Sequence, residues 1–254
     1  MATSAAQNLP ARNARLQLAG TRSLVGAWAK ISILQYFLAE AAVIAGWAGP
    51  LPYSRRLDVI SDLGARSCGV YDGRAVCSPL HILMNVSFIV QGVAMMVGAV
   101  LLSTALFRIA ARPEPPTAVK RPGWAILTRL LVGLSGLGVM VVGFVPEDVD
   151  TPLHFAGASV FFVAGGLSLL ALWWSWRRLR LISWFLLLCG TLSLVSTILF
   201  ALVPALERGT LERLMAYPIT LGLSLVGVTV TRGVRQARQN IRKDAVARSR
   251  SSPS

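Results

Sequence analysis

The chain is short of charge. Only 14% of its 254 residues are Asp, Glu, Lys or Arg, where a soluble domain carries roughly a quarter, so an ordinary aqueous enzyme and a disordered segment are both excluded. Cysteine occurs three times, too seldom for a disulfide-dense secreted module or a thiolate metal cluster. Histidine occurs twice. The signatures that most readily betray chemistry are missing as well: there is no GxxxxGK[ST] phosphate loop, no Gly-x-Ser-x-Gly elbow, no HExxH and no CxxC. Acidic side chains are also scarce, eleven against 25 Lys and Arg, for a net charge of +14. In a soluble protein that balance would suggest nucleic acid.

Apolar residues are what the chain has in quantity, 54% of the total with a mean hydropathy of +0.61. A helix needs about 20 apolar residues to cross a hydrocarbon core of ~30 Å. Six such runs are present, at 31–49, 80–106, 124–145, 153–175, 181–203 and 214–231. They predict an all-α polytopic membrane protein, a bundle of six transmembrane helices. Residues 31–231 form the membrane domain, with a loop over 50–79, and basic tails occupy 1–30 and 232–254. The first tail lacks the apolar segment of a cleavable secretory signal, so the first span is expected to stay in the mature protein.

Basic residues flanking spans are retained in the cytoplasm, and 18 of the 25 fall on the side that holds both tails against 6 on the other. Both termini are therefore expected to be cytoplasmic. The positive charge marks topology and attraction to anionic lipid, and the expected partners are membrane lipids rather than nucleic acid. In the tail, Arg232, Arg235, Arg238 and Arg242 recur every three or four residues, a spacing that could continue the last helix.

The loop at 50–79 carries Cys68 and Cys77 on either side of Asp72-Gly73. Asp-Gly favours the tight turn of a two-stranded hairpin, so a disulfide across it is geometrically natural and would need an oxidising, extracytoplasmic side. For so short a loop the chain-entropy gain is about 2–3 kcal/mol. Cys189, within the fifth run, reads as a small packing residue. Glycines at 133, 136, 138, 165, 166, 222 and 227 read as points of close helix approach.

Polar groups gather where the runs meet the outer side: Asp62, His81, Asn85, Glu147, His154, Glu212 and Arg213. They are candidates for one ligand-binding site. Histidine and carboxylate oxygens also suit a metal or an acid/base pair. The bland alternative is wet loops and helix caps, with Asp62 tying down a turn, Pro146 ending a helix and Glu212 pairing locally with Arg213. Glu40 stands near the middle of the first run, where a carboxylate is costly and marks function. Depth counting at 1.5 Å per residue puts Gln91 of the second run at the same level, so a hydrogen bond between them is expected, with an ion or proton relay as the alternative.

The order Tyr53-Ser54, Ile60-Ser61-Asp62-Leu63-Gly64, Ser78-Pro79, Asn85, Gly143 with Pro146-Glu147, His154, Glu212-Arg213 and Tyr217-Pro218 resembles the bacterial and archaeal six-span family known as domain of unknown function 998. The likeness covers roughly residues 31–231. It implies an integral fold in a bacterial cytoplasmic membrane with the polar motifs external, and it brings no reaction and no cofactor. More distantly the chain is similar to the Frag1/DRAM/Sfk1 group, which is associated with lipid handling. The leading expectation is binding of a lipid headgroup or small polar ligand in an external pocket. The alternatives are a metal-dependent membrane hydrolase or transferase using His81 and His154, and a proton-coupled transporter using Glu40.

Overall fold

The computed structural model describes residues 20–101 and 122–251. Its helices are α1 (Thr21–Ile31), α2 (Gln35–Ala45), α3 (His81–Leu101), α4 (Pro122–Phe144), α5 (Thr151–Ser175), α6 (Arg180–Leu202) and α7 (Arg208–Ser251), with a short hairpin of β1 (Gly69–Tyr71) and β2 (Arg74–Val76). A 3-10 turn over Ser32–Leu34 joins α1 to α2, so the two act as one span. Six helices are then long and apolar enough to cross a membrane: Thr21–Ala45, His81–Leu101, Gly123–Phe144, Thr151–Ser175, Arg180–Leu202 and Arg208–Ala245.

The boundaries of the first and last spans differ from the hydropathy runs. The first begins at Thr21 and ends at Ala45, because the amphipathic stretch Thr21–Lys30 gains its helix from packing rather than from apolar length. Lys30, read in the sequence as a flanking charge, is 3% exposed. The last span begins at Arg208 and α7 runs on through the basic tail, with Val234 and Ala237 still buried. Residues 102–106 of the second run lie outside the described residues.

Each span packs on its sequence neighbour, and α1 closes the ring by packing on α3 and α7. Span α7 is the most buried of the six and α6 the least, which puts α7 nearest the bundle axis. Its contacts reach α1, α5 and α6, and Gln91 of α3 donates to Thr220 across the interior at 3.2 Å. Glycine is needed where helices approach most closely, as at two points on α4. A Cβ on Gly136 would stand 2.8 Å from the Gly92 carbonyl oxygen, and one on Gly138 2.6 Å from that of Gly157. Backbones of α3, α4 and α5 therefore touch, the close approach that small residues permit where lipid supplies no hydrophobic drive.

One end of the bundle, here the hairpin end, is capped by the segment 46–80; the opposite, tail end carries the extension of α7. Asp72 and Gly73 have φ of 50° and 76°, as a primed hairpin turn requires. The strands pair Gly69 with Val76, Val70 with Ala75 and Tyr71 with Arg74, and Cys68 is bonded to Cys77. Helix α5 starts on Asp150, whose side chain accepts from the Leu153 N–H at 3.0 Å, with Pro152 in its first turn.

Candidate functional site

The cap is tied to the helix ends by hydrogen bonds that its own sequence cannot satisfy. The Asp148 carboxylate takes the N–H groups of Arg66 and Ser67 at 3.0–3.1 Å and Asn85 donates to the Gly64 carbonyl at 2.9 Å, while within the cap Ser78 donates to the Leu63 carbonyl at 2.8 Å. Beneath these ties the 3-10 turn Ser61–Gly64 is drawn over the mouth of the bundle. Asp62 closes that turn by accepting from the Val59 N–H at 3.1 Å.

Arg74 is the centre of the polar cluster. Reaching back from β2, it meets Asp62 through two nitrogens at 2.9 and 3.1 Å, Asp72 at 3.1 Å and Glu147 at 3.4 Å. Asp62 is 1% exposed and Glu147 7%. Burial raises the pKa of both carboxyls above their ordinary values, and in Glu147 the nearby Asp62 charge adds to the rise, while Arg74 opposes it in each. Burial works against the Arg74 charge too, but the Asp62 carboxylate outweighs it and holds the guanidinium ionised.

Next to this cluster three side chains form a row. The His154 Nδ1–H donates to the Val145 carbonyl at 2.8 Å, and Nε2 lies 3.1 Å from Ser61 Oγ, which is 3.0 Å from Glu212 Oε1. The second Glu212 oxygen accepts the Ile60 N–H. A carbonyl only accepts, so Nδ1 keeps its hydrogen. Ser61 has one hydrogen to place between two acceptors, and the row is fully bonded only when it holds one further proton. That proton sits either on Glu212, beside a neutral imidazole, or on His154, beside a carboxylate.

Both groups open on one cavity of about 290 Å³. Its polar wall is Ser61, Asp72, Arg74, Glu147, His154, Arg208 and Glu212, and its apolar wall includes Phe155, Phe162, Phe200 and Met215 from α5, α6 and α7. Ser159 and Ala201, which also line it, are exposed on the flanks of α5 and α6. The space therefore opens sideways between those helices.

Of the seven residues singled out in the sequence, Glu147, His154 and Glu212 line the cavity, and Asp62 stands directly behind Arg74. His81 turns its Nδ1 to the Ser78 carbonyl at 3.0 Å and Asn85 holds Gly64; neither borders the cavity. Arg213 points into the bundle. Ser61, Asp72, Arg74 and Arg208 complete the polar wall, and none of them is singled out in the sequence as a ligand-binding residue. Asp-Gly on a crosslinked hairpin was the one available signal for Arg74, because strand pairing directs a neighbour of the turn inward. Among the described residues no three His, Cys, Asp or Glu side chains are grouped to hold a metal ion.

Two expected pairings are replaced by others. Glu40 does not meet Gln91. Its carboxylate accepts from Arg213 Nε at 3.1 Å and from the Tyr217 hydroxyl at 2.7–2.8 Å, while Gln91 serves Thr220. Equal depth does not set which way a helix is turned, and α7 at the axis presents donors to α2 that α3 does not. Glu212 and Arg213 do not pair locally either, because adjacent helical residues diverge by about 100°: Glu212 faces Ser61 and Arg213 faces Glu40.

The raised carboxyls fix the sign of a pH effect. Folded protein binds protons at Asp62 and Glu147 more tightly than unfolded chain, so their contribution is fully present below the ordinary values of 3.8 and 4.5 and is lost as pH rises through the folded ones. Glu147→Gln should flatten the fall in melting temperature of the detergent-solubilised protein between about pH 4 and 8. An unchanged profile would remove Glu147 as a contributor.

No curated protein and no solved structure matches the chain. A family model does, over residues 33–229, under the description "Protein of unknown function (DUF998)". That interval takes in four complete spans, parts of the first and last, and the whole of the cap, together with every residue of the polar cluster, and the chain belongs to the DUF998 family of proteins of unknown function.

Proposed function

We propose that this integral membrane protein binds an amphiphile, a lipid headgroup or small polar ligand, in the cavity at the hairpin end. The observation that carries the reading is the two-sided wall of that cavity. Ion pairs line one part, aromatic and aliphatic side chains the other, and the flank is open between α5 and α6. A fully water-soluble ligand has no use for the apolar part, and a hydrocarbon has none for the guanidinium. Asp72, Glu147 and Glu212 outnumber Arg74 and Arg208, so a headgroup carrying an ammonium beside a phosphate suits it better than a bare anion. The basic excess on the tail side supports cytoplasmic termini, with the hairpin end and its disulfide outside. The likeness to a bacterial and archaeal family supports a bacterial cytoplasmic membrane. Both Glu40 oxygens are engaged by Arg213 and Tyr217, which favours a structural role for that carboxylate over proton carriage.

The test uses the full chain in nanodiscs and a fluorescent phosphatidylethanolamine. Ala201→Trp fills the cavity from an exposed position and should weaken binding by at least about tenfold, or 1.4 kcal/mol, without lowering the melting temperature. Unaltered binding would overturn the reading.

One contact favours a second reading, hydrolysis or transfer on the bound lipid. Ser61 Oγ faces the cavity 3.1 Å from His154 Nε2, the arrangement of a hydroxyl with a neighbouring base. Turnover of a lipid ester by wild type that vanishes in Ser61→Ala, with binding retained, would establish it.

A further inference from the structure

A second space adjoins the proposed cavity at the hairpin end. It is an open recess of about 360 Å³ between the hairpin and the loop that joins α6 to α7, bounded on that loop by Ala205, Leu206 and Glu207. Asp72, Arg74 and Arg208 line both spaces, so these three side chains form the partition between them.

The partition is built around one oxygen. Asp72 Oδ2 accepts from Arg74 Nη1 at 3.1 Å and from Arg208 Nη1 at 2.8 Å. The two arginines are otherwise placed differently. Arg74 is already neutralised by Asp62, through two nitrogens, and by Glu147. Arg208 has no carboxylate besides Asp72 among the described residues, and its guanidinium carbon stands 4.6 Å above the Phe200 ring of the apolar wall. The head of Arg208 therefore lies at the seam between the polar and apolar walls. None of the three groups is sealed from the two spaces: the side chains of Arg74, Arg208 and Asp72 are 16%, 36% and 60% exposed.

An ion pair so open to water is held weakly, and Asp72, at the tip of the hairpin, leaves it by a side-chain rotation alone. What remains is two guanidiniums directed at one point, with Arg208 uncompensated. Tetrahedral phosphate oxygens engage two such groups at once and pair strongly with their planar forks. We propose, on the reading of that cavity as an amphiphile site, that the Asp72 carboxylate stands in for the ligand's phosphate, which Arg74 and Arg208 clamp once Asp72 swings out to solvent. A zwitterionic headgroup adds no net charge, so its phosphate takes the arginines while its ammonium is left to Glu147 and the released carboxylate. The chains follow Phe200 out between α5 and α6.

The experiment measures binding of fluorescent phosphatidylethanolamine, and of a fluorescent fatty acid and a fluorescent alkylamine, to the full chain in neutral detergent. Wild type should hold the phospholipid roughly tenfold more tightly than either of the others. Asp72→Asn keeps the turn, since asparagine tolerates the φ of 50°, and removes the competing charge. It should tighten phosphatidylethanolamine roughly two- to fivefold and leave the alkylamine no tighter. Arg208→Gln should weaken the phospholipid roughly tenfold at an unchanged melting temperature. Adding Asp72→Asn to it should restore little, because Arg74 stays neutralised by Asp62. Inorganic phosphate should not displace the lipid, having no chains for the apolar wall; displacement would overturn the lipid assignment and give the clamp to free phosphate. Phospholipid binding that Asp72→Asn leaves unchanged or weakens, that Arg208→Gln leaves intact, or that the fatty acid equals would overturn the proposal while the amphiphile reading stands. That reading fails separately, if wild type binds none of the three lipids.

Discussion

Replacing Arg213 with alanine is expected to destabilise the protein by about 3–5 kcal/mol, the range for breaking one side of a buried ion pair. The Arg213 guanidinium ties α7 both to α2 and to the cap. Its Nε and Nη2 hold Glu40 of α2 at 3.1 and 3.0 Å, Nη1 serves the carbonyls of Arg55, Asp58 and Gly209 at 2.9–3.1 Å, and Nη2 also meets the Tyr53 hydroxyl at 2.7 Å. Removal strands a carboxylate that is 2% exposed within a membrane span and frees three carbonyls where the cap joins α7. Arg213→Lys should fall between, because an ammonium keeps the charge but cannot reproduce the planar fork. Pairing Arg213→Met with Glu40→Leu should recover part of the loss, since no buried charge is then left alone. Unfolding by graded SDS measures all three. If Arg213→Ala unfolds at the wild-type SDS fraction, the interaction is not what anchors the cap.

Arg74→Ala is the second large effect, an expected loss of about 2–4 kcal/mol at neutral pH. Asp62 and Glu147 would face each other with no cation between them, in surroundings whose burial already raises both pKa values. Their affinity for protons should rise further. The deficit of the variant is therefore greatest at neutral pH and shrinks as pH falls toward the ordinary carboxyl range, where protonation removes the repulsion. Melting curves of wild type and variant across that interval should converge at the acid end. Parallel curves would show that Arg74 acts by packing alone. The same variant should lose the fluorescent phosphatidylethanolamine, as Arg74 forms part of the polar wall.

Several features are legible without any structure because they depend on short stretches of chain. Hydropathy over about 20 residues marks a span wherever it folds, and Asp72-Gly73 between two cysteines specifies its turn through the φ > 0 that those residues tolerate. Glycines with no local reason to be in a helix announce close neighbours, as Gly138 does against Gly157. The gathering of Asp62, Glu147, His154 and Glu212 at one end follows from span order alone. Their grouping into a cavity does not. Ser61 is an ordinary loop serine until α5 and α7 bring His154 and Glu212 to its hydroxyl, and Arg74 is a strand residue until the cap folds over Asp62 and Glu147. Lys30 reads as a flanking charge because linear hydropathy cannot see the glycine-lined berth made by two other helices.

Length, hydropathy and turn chemistry by themselves determined the six helices, the crosslinked hairpin and the end at which the acidic and imidazole groups collect. The tertiary structure alone decided the partners: Arg213 and Tyr217 for Glu40, Thr220 for Gln91, Ser61 between His154 and Glu212. The reason is geometric. A run of apolar residues states how deep each position lies, whereas the rotation of a helix about its own axis depends on all of its neighbours together, and rotation is what selects the side chains that meet.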